Sequence, residues 1–383
     1  MSYFEPSFPA GEYLERCRKV QAAMAGRDID LLLCFSFPNI CYLTGIESVL
    51  WYKYFVAIMP RTGSPILLAQ DFEMPNALIR SWVEDRVTYG LDKDPVDATA
   101  RLLEERGLSG KRIGIETYPW AMPVPTYLRL RDALSHAELV DAGDLVATVK
   151  VIKSPAEIAC LRQAADLTSR GMRAAIAAFE EGRTDNDVAA AAYQAMIAGG
   201  SETMCLDPIV TIGEWSGVPH STHCRRTIRR GDPGLLEMGA CIHRYTAASM
   251  RTAIAGRPSD EVRRAADACI ASLNTCIEHM KPGVLADEIA TSADRAWSEI
   301  STRLVWHGIY GYSLGLGFPP DWNDCPALIQ RGSPLVLQPA MVFHVTTSLR
   351  EMAQYGAAFS ETVLITKDSN EVLTDVPREL AVR

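Results

Sequence analysis

The stretch GDPGLLEMGACIHRYTAASMRT, from Gly231 to Thr252, constrains the fold more than any other part of the sequence. Gly-Asp-Pro supplies a turn, LLEMG is apolar and extended, and RYTAASMRT is rich in residues that suit a half-buried strand, so the segment reads as a sheet hairpin. It aims one carboxylate, Glu237, into that sheet. Eleven positions later, where a second acid would face it across the ladder, stands Ala248. A carboxylate in a sheet is costly unless something compensates for its burial, so the single acid asks for a chemical reason.

Around this hairpin the chain organises into two parts. Residues 1–150 alternate helical and strand patterns: EYLERCRKVQAAMA and PVDATARLLEERG are helical, while DLLLCF, YFVAIM and KRIGIE read as strands of a small α/β domain. Residues 151–383 open with Ser154 as N-cap, Pro155 at the first helical position and Glu157 two residues further on, a capping box that starts a helix running to about Phe179. Thr184 and Asp187 repeat the capping spacing for a second helix. Strand segments IVTIG and the hairpin follow, then helices over about Ser259–Met280 and Leu285–Ser301, and the strands MVFHVTTSL and FSETVLIT. Paired helices alternating with antiparallel hairpins predict an α+β domain whose sheet carries the chemistry.

Composition narrows the function. With 48% apolar and 22% charged residues the chain is globular, and no run of 18 apolar residues is present to span a bilayer. The N-terminal MSYFEPSFPAGEY lacks the basic-then-apolar order of a secretion signal, so a cytoplasmic location is expected. Ten cysteines are scattered singly, without the paired spacing of disulfide frameworks or zinc sites, and read as reduced thiols. A net charge of −9 without a Lys/Arg block argues against nucleic acid or an anionic membrane as partner.

The candidate residues can be weighed singly. His220, in the Gly- and Pro-containing loop WSGVPHSTH, can stand free in a cleft; His223, three residues on, is a supporting partner or a solvated side chain. His307 and His344 have apolar neighbours and read as core or sheet residues. Glu361 begins an apolar strand, as Glu237 does. GIYGYSLGLGFPPDW reads as a tight loop near a site, with Tyr312, Asp321 and Trp322 in it; its glycines lack the strand and helix context of a dinucleotide fingerprint.

Taken in order, SPAEIACLRQAADLT, the PH loop, Gly-Asp followed by Glu237, Ala248 and Arg251-Thr252, then GYSLG, MVF and SETV resemble the creatinase/prolidase family over essentially the whole chain. That resemblance implies a C-terminal pita-bread domain preceded by a smaller creatinase-type N-terminal domain. Its peptidases hold two metals. On this chain the five ligand positions would be Glu237, Ala248, Tyr312, Thr346 and Glu361. Alanine and threonine cannot replace a bridging and a terminal acid, so no metal or other cofactor is expected.

Within the family the chain is similar to the metal-free branch, which cleaves carbon–nitrogen bonds of small zwitterions. Met250 and Tyr312 stand where creatinase carries a glutamate and a histidine, while Glu237 to Gly239, Arg244-Tyr245, Arg251-Thr252 and GYSLGLGFPPDW, Gly311 to Trp322, resemble the ectoine hydrolases. The reaction so implied is hydrolytic opening of a cyclic amidine to an N-acetylated diaminobutyrate. Glu237 and Glu361 would bracket the amidinium by charge-assisted hydrogen bonds, His220 would shuttle a proton and Tyr312 would donate a hydrogen bond. Trp322, Asp321, His223 and Arg251, with Trp51 and Tyr52, would contact the substrate. A homodimer is implied as well. A creatinase-like or Xaa-Pro dipeptidase-like hydrolase, and a non-catalytic binding module, stay open as alternatives.

Overall fold

A computed structural model describes residues 6–117, 122–297 and 303–383. The chain divides into two compact units, Met1–Lys150 and Val151–Arg383. In the first, strands β1 (Leu31–Cys34), β2 (Val56–Pro60), β3 (Ile66–Gln70), β4 (Arg86–Tyr89), β5 (Arg112–Ile115) and β6 (Glu138–Asp141) make one sheet in the order β4-β3-β2-β1-β5-β6. Helices α1 (Ala10–Gly26), α2 (Phe37–Thr44), α3 (Met74–Arg80), α4 (Pro95–Glu105), α5 (Val124–Ala133) and α6 (Leu145–Lys150) accompany it. All four residues of β1 are buried, as a strand covered on both faces requires.

The second unit begins with α7 (Pro155–Ala178). Its start carries the full capping box, with Ser154 accepting from the Glu157 amide and Glu157 accepting from the Ser154 amide. Helix α8 (Asp185–Ala198) repeats the device with Thr184 and Asp187. Strands β7 (Ile209–Ile212), β8 (Pro233–Ile242) and β9 (Tyr245–Ile254) follow, then α9 (Asp260–His279), α10 (Ala286–Ala293), the short β10 (Leu304–Val305), β11 (Ile309–Phe318), β12 (Asp321–Gln330), β13 (Val342–Glu351), β14 (Tyr355–Ile365), β15 (Asn370–Val372) and β16 (Ala381–Val382). The main sheet runs β12-β11-β13-β14-β9-β8-β7, each neighbour antiparallel to the next.

Two segments differ from the sequence reading. Helix α10 ends at Ala293 and passes into a single 3-10 turn, Asp294–Trp297, whose Asp294 accepts from the Tyr310 hydroxyl; Ser301 lies outside the described residues. GIYGYSLGLGFPPDW is no loop but most of the β11–β12 hairpin. Its glycines serve close packing: a Cβ at Gly315 would lie 2.1 Å from Asp324 Oδ2, and one at Gly317 2.9 Å from the Asp321 carbonyl. Asp324 is held there by Lys153 at 3.0 Å, both side chains buried, and by the Ser313 hydroxyl at 2.7 Å.

Strand alternation gives the main sheet two unlike faces. Leu236, Met238 and Ala240 of β8 turn to the core shared with α7 and α8, and Thr347 of β13 donates to the Cys269 carbonyl of α9. The opposite face carries Glu237 and its cross-strand neighbours. Register places Glu237 opposite Met250, Met250 opposite Ser360, and Ser360 opposite Thr346. Tyr312 pairs with His344, two residues along β13 from Thr346 and so on the same side. A row of side chains from four consecutive strands therefore lies on one surface, and Tyr312 extends it to a fifth.

Candidate active site

Two cavities meet on this face. The larger, about 550 Å³, is lined by Leu206, Asp207, Ile209, His220, Thr222, Glu237, Tyr312, Pro320, Asp321 and Trp322. The smaller, about 210 Å³, is lined by Pro219, His220, Glu237, Met250, Val305, His307, Tyr312, Thr346, Ser348, Arg350 and Met352. His220, Glu237 and Tyr312 belong to both, so three of the four residues expected to be catalytic stand at their junction.

Glu237 sits mid-strand in β8 and is only 7% exposed. Burial raises its carboxyl to about 7 against the weaker opposing pull of the Arg350 charge. An acid with this affinity is a base near neutral pH that gains strongly from a cationic neighbour. His220 lies in the exposed loop between β7 and β8, with its backbone at φ 54°, a left-handed conformation uncommon outside glycine. That turn presents the imidazole to both cavities.

Tyr312 belongs to a buried relay. The Trp322 indole donates to the Tyr312 hydroxyl at 2.8 Å, that hydroxyl meets His344 Nδ1 at 2.8 Å, and His344 Nε2 meets Ser360 Oγ at 2.6 Å. Burial lowers the His344 imidazole to about 3, so it is neutral and carries a single N–H. Burial first, then the Glu237 charge, hold the Tyr312 phenol well above its ordinary range, so it is a proton donor. Burial also raises the Asp321 carboxyl, and Oδ1 of Asp321 accepts from the Asn323 amide at 2.9 Å.

Glu361 and Arg251 correct the sequence reading. Next along β14 from Ser360, Glu361 turns to the helix-packed side. There it accepts from Arg251 at 2.7 Å and from the Thr374 hydroxyl, with Arg378 at 3.4 Å. Arg251 is fully buried and spends its donors on Glu361, Ser249 Oγ and the carbonyls of Met250, Ser360, Val376 and Pro377. Neither lines the cavities. The β14 residue that faces them is Ser360, through the relay. His223 is likewise set aside, partly buried with Nδ1 3.0 Å from the Thr222 hydroxyl. Trp51 and Tyr52 belong to the first unit, where their rings meet edge to face at 5.9 Å and Tyr52 is exposed.

His344 is buried in the sheet as its neighbours suggest, yet it also faces the site. His307 differs from its reading as a core or sheet residue, because it lines the smaller cavity. The residue itself is exposed; partial desolvation of the ring, then the Arg350 and His220 charges, lower its imidazole to about 4. Arg350, Ser348 and Ser360 went unnoticed in the sequence, and Thr346 was read only as a lost ligand position. A signal was there: His344, Thr346, Ser348 and Arg350 form a polar stripe of period two through VFHVTTSLR, whose alternate positions are apolar except for Thr347.

A two-metal centre on this face would draw on Glu237, Ala248, Tyr312, Thr346 and Ser360. Only the first is a carboxylate, and among the described residues no group of three or more His, Cys, Asp or Glu side chains is placed to hold a metal. The residues present do not fit two divalent ions.

Residues 159–367 match Metallopeptidase family M24, and residues 16–152 match the Creatinase/Prolidase N-terminal domain. The chain belongs to family M24. Across 98% of its length this M24 chain is 28% identical to 98% of the ectoine hydrolase of Halomonas elongata. It is 29% identical to an uncharacterized hydrolase/peptidase of Sinorhizobium fredii, again over 98% of each. The crystal structure of dipeptidase PepE from Mycobacterium ulcerans superposes with a TM-score of 0.85 at 23% identity, covering 98% of this chain and 99% of that one. The pita-bread fold and the M24 hydrolase assignment rest on these likenesses.

Proposed function

We propose that this M24 chain is a metal-independent hydrolase that opens a carbon–nitrogen bond of a small zwitterionic cyclic amidine, ectoine or 5-hydroxyectoine, to give N-acetyl-diaminobutyrate from the first and its hydroxylated counterpart from the second. The observation that supports this reading best is the isolation of Glu237. It is a single buried carboxylate where two cavities meet, with a carboxyl raised to about 7 and neutral hydrogen-bond donors beside it. Such a group is stabilised by an amidinium, which supplies the missing counter-charge and two parallel N–H donors. The ectoine hydrolase of Halomonas elongata, similar along nearly its whole length, supports the same substrate.

In this mechanism Glu237 takes a proton from water, and the water oxygen adds to the amidinium carbon. The tetrahedral centre then expels one ring nitrogen, which receives the proton held by Glu237 by way of His220, and the hydroxyl proton passes to the freed amine as the C–O bond becomes the amide carbonyl. Tyr312 serves as an electrophilic donor. If His344 Nδ1–H and the Trp322 indole both donate to its oxygen, and Ser360 donates to His344 Nε2, the phenolic proton is left for the substrate. Trp322 and Asp321 contact the ring.

The test is incubation of purified, chelator-treated protein with ectoine and 5-hydroxyectoine, reading N-acetyl-diaminobutyrate and its hydroxylated counterpart, respectively, by mass spectrometry. Ring opening undiminished by chelator is the expected result. Cleavage of a Gly-Pro dipeptide on addition of manganese, without ring opening, would overturn the proposal in favour of a dipeptidase.

A further inference from the structure

The smaller cavity holds a cation that the proposed mechanism does not use. Thr346, Ser348 and Arg350 alternate along β13 and turn together to the cavity that Glu237 closes on its other side. The Arg350 side chain donates from Nη1 to Ser348 Oγ at 2.7 Å, while its Nε is buried without a hydrogen-bond partner. No carboxylate among the described residues lies within ion-pair distance of it. Glu237 is near enough to be felt electrostatically, yet the two groups make no contact that would satisfy either. A guanidinium offers five N–H donors in a planar fork, and leaving a buried one unpaired is costly. The buried Nε is out of a ligand's reach, and a substrate anion in the cavity that Arg350 lines would pair with the outer guanidinium nitrogens.

We infer that Arg350, with the Ser348 and Thr346 hydroxyls, is the subsite for a substrate carboxylate, so that the cleft reads a zwitterion by its two ends, the cation on Glu237 and the anion on Arg350. Arg350 thereby determines specificity, and the inference deepens the amidine reading and rests on it. Substrates of this cleft carry a carboxylate a few bonds from the reacting carbon; the same ring without its carboxylate is discriminated against. The bidentate match of guanidinium to carboxylate makes lysine a poor substitute.

The experiment compares ectoine with 1,4,5,6-tetrahydro-2-methylpyrimidine, the same amidine lacking the carboxylate, on wild type, R350Q and R350K, with folding of each checked by circular dichroism. For ectoine, R350Q is expected to raise KM about 100-fold with kcat within a few-fold, in keeping with loss of a charged hydrogen-bond pair. R350K should fall between. For the carboxylate-free ring, R350Q and R350K should stay within a few-fold of wild type once compared at a pH where Glu237 is ionised in each, since losing the Arg350 charge beside Glu237 moves only the pH profile. If Arg350 merely compensates Glu237, R350Q will move the pH profile of kcat/KM upward equally for both rings and leave the ratio of their KM values unchanged, which overturns the subsite. Calorimetric titration with propionate needs no turnover: binding to wild type that R350Q abolishes supports the subsite even where ectoine is not opened. Propionate binding unchanged in R350Q, with ectoine opened normally, removes the subsite and leaves the amidine reading standing.

Discussion

Glu237 and Glu361 are buried carboxylates on opposite faces of one sheet, 7% and 1% exposed. Burial raises both carboxyls. At Glu361, Arg251, the Thr374 hydroxyl and Arg378 pull back against it, whereas at Glu237 only the more distant Arg350 does so. The helix-packed face thus contains a finished ion pair whose partners also tie down the carbonyls of four residues. The cleft face contains an unfinished one. Burial alone does not distinguish a structural acid from a working one; the completeness of its partner set does.

The largest effect is expected on the cleft side. Glu237→Gln should lower kcat about 1,000-fold, as loss of a general base does. The same substitution should stabilise the fold. The native-state carboxyl is raised from 4.5 to about 7, so its contribution to stability is complete below about pH 4.5 and is lost as pH rises through about 7. Glu237→Gln escapes that loss and should gain up to about 3 kcal/mol over wild type at pH 8. Urea titrations of both proteins at pH 5 and pH 8 measure the gain; equal stability at both pH values would mean that the carboxyl is not buried unpaired. In wild type, kcat/KM for ectoine should rise with pH through about 7 as the base ionises.

Glu361→Gln should do the reverse. Removing one partner of a buried pair leaves Arg251 uncompensated and should cost about 3 kcal/mol in urea unfolding, while kcat for ectoine stays within a few-fold of wild type. A collapse of kcat in folded Glu361→Gln protein would return Glu361 to the chemistry and erase the contrast between the faces. The smallest effect belongs to the relay. Tyr312→Phe removes one donor and strands the Trp322 and His344 groups, and a 10- to 100-fold fall in kcat at nearly constant KM is the expected result, about 1.4–2.7 kcal/mol in the transition state. A fall in ectoine affinity instead would make Tyr312 a binding group.

How much of this was legible in the sequence depended on the range of the interaction. The start of α7 was, because Ser154, Pro155 and Glu157 specify it within four residues. The hairpin bearing Glu237 was also local, and so was His220 in its loop. Glu361 was misassigned because motif spacing does not tell which way a strand residue faces. That is settled by pairing with β13 and β9, and an error of one residue exchanges the faces. Arg350 was missed because it lies near the end of β13, where a charged residue looks like a solvated terminus; only the approach of β8 and of the Pro219-His220 loop encloses it. The GYSLGLGFPPDW glycines suggested a loop because the side chains that demand them, on Asp324 and across the hairpin, arrive after the strand has turned.

The alternation of Ser360 and Glu361 has a consequence for how this sheet tolerates change over evolutionary time. Substitutions at Ser360, Thr346, Met250 or Ala248 can rewrite the reactive surface while the Arg251–Glu361 brace behind it stays intact, so the face can drift between chemistries one residue at a time. Insertions and deletions have no such freedom. One residue gained or lost in β14 would drive the Glu361 charge among the cleft side chains and leave Arg251 facing a serine, forfeiting scaffold and catalyst in a single step. Lineages descended from such a sheet should therefore vary in the identity of these residues and keep the length of the strand fixed.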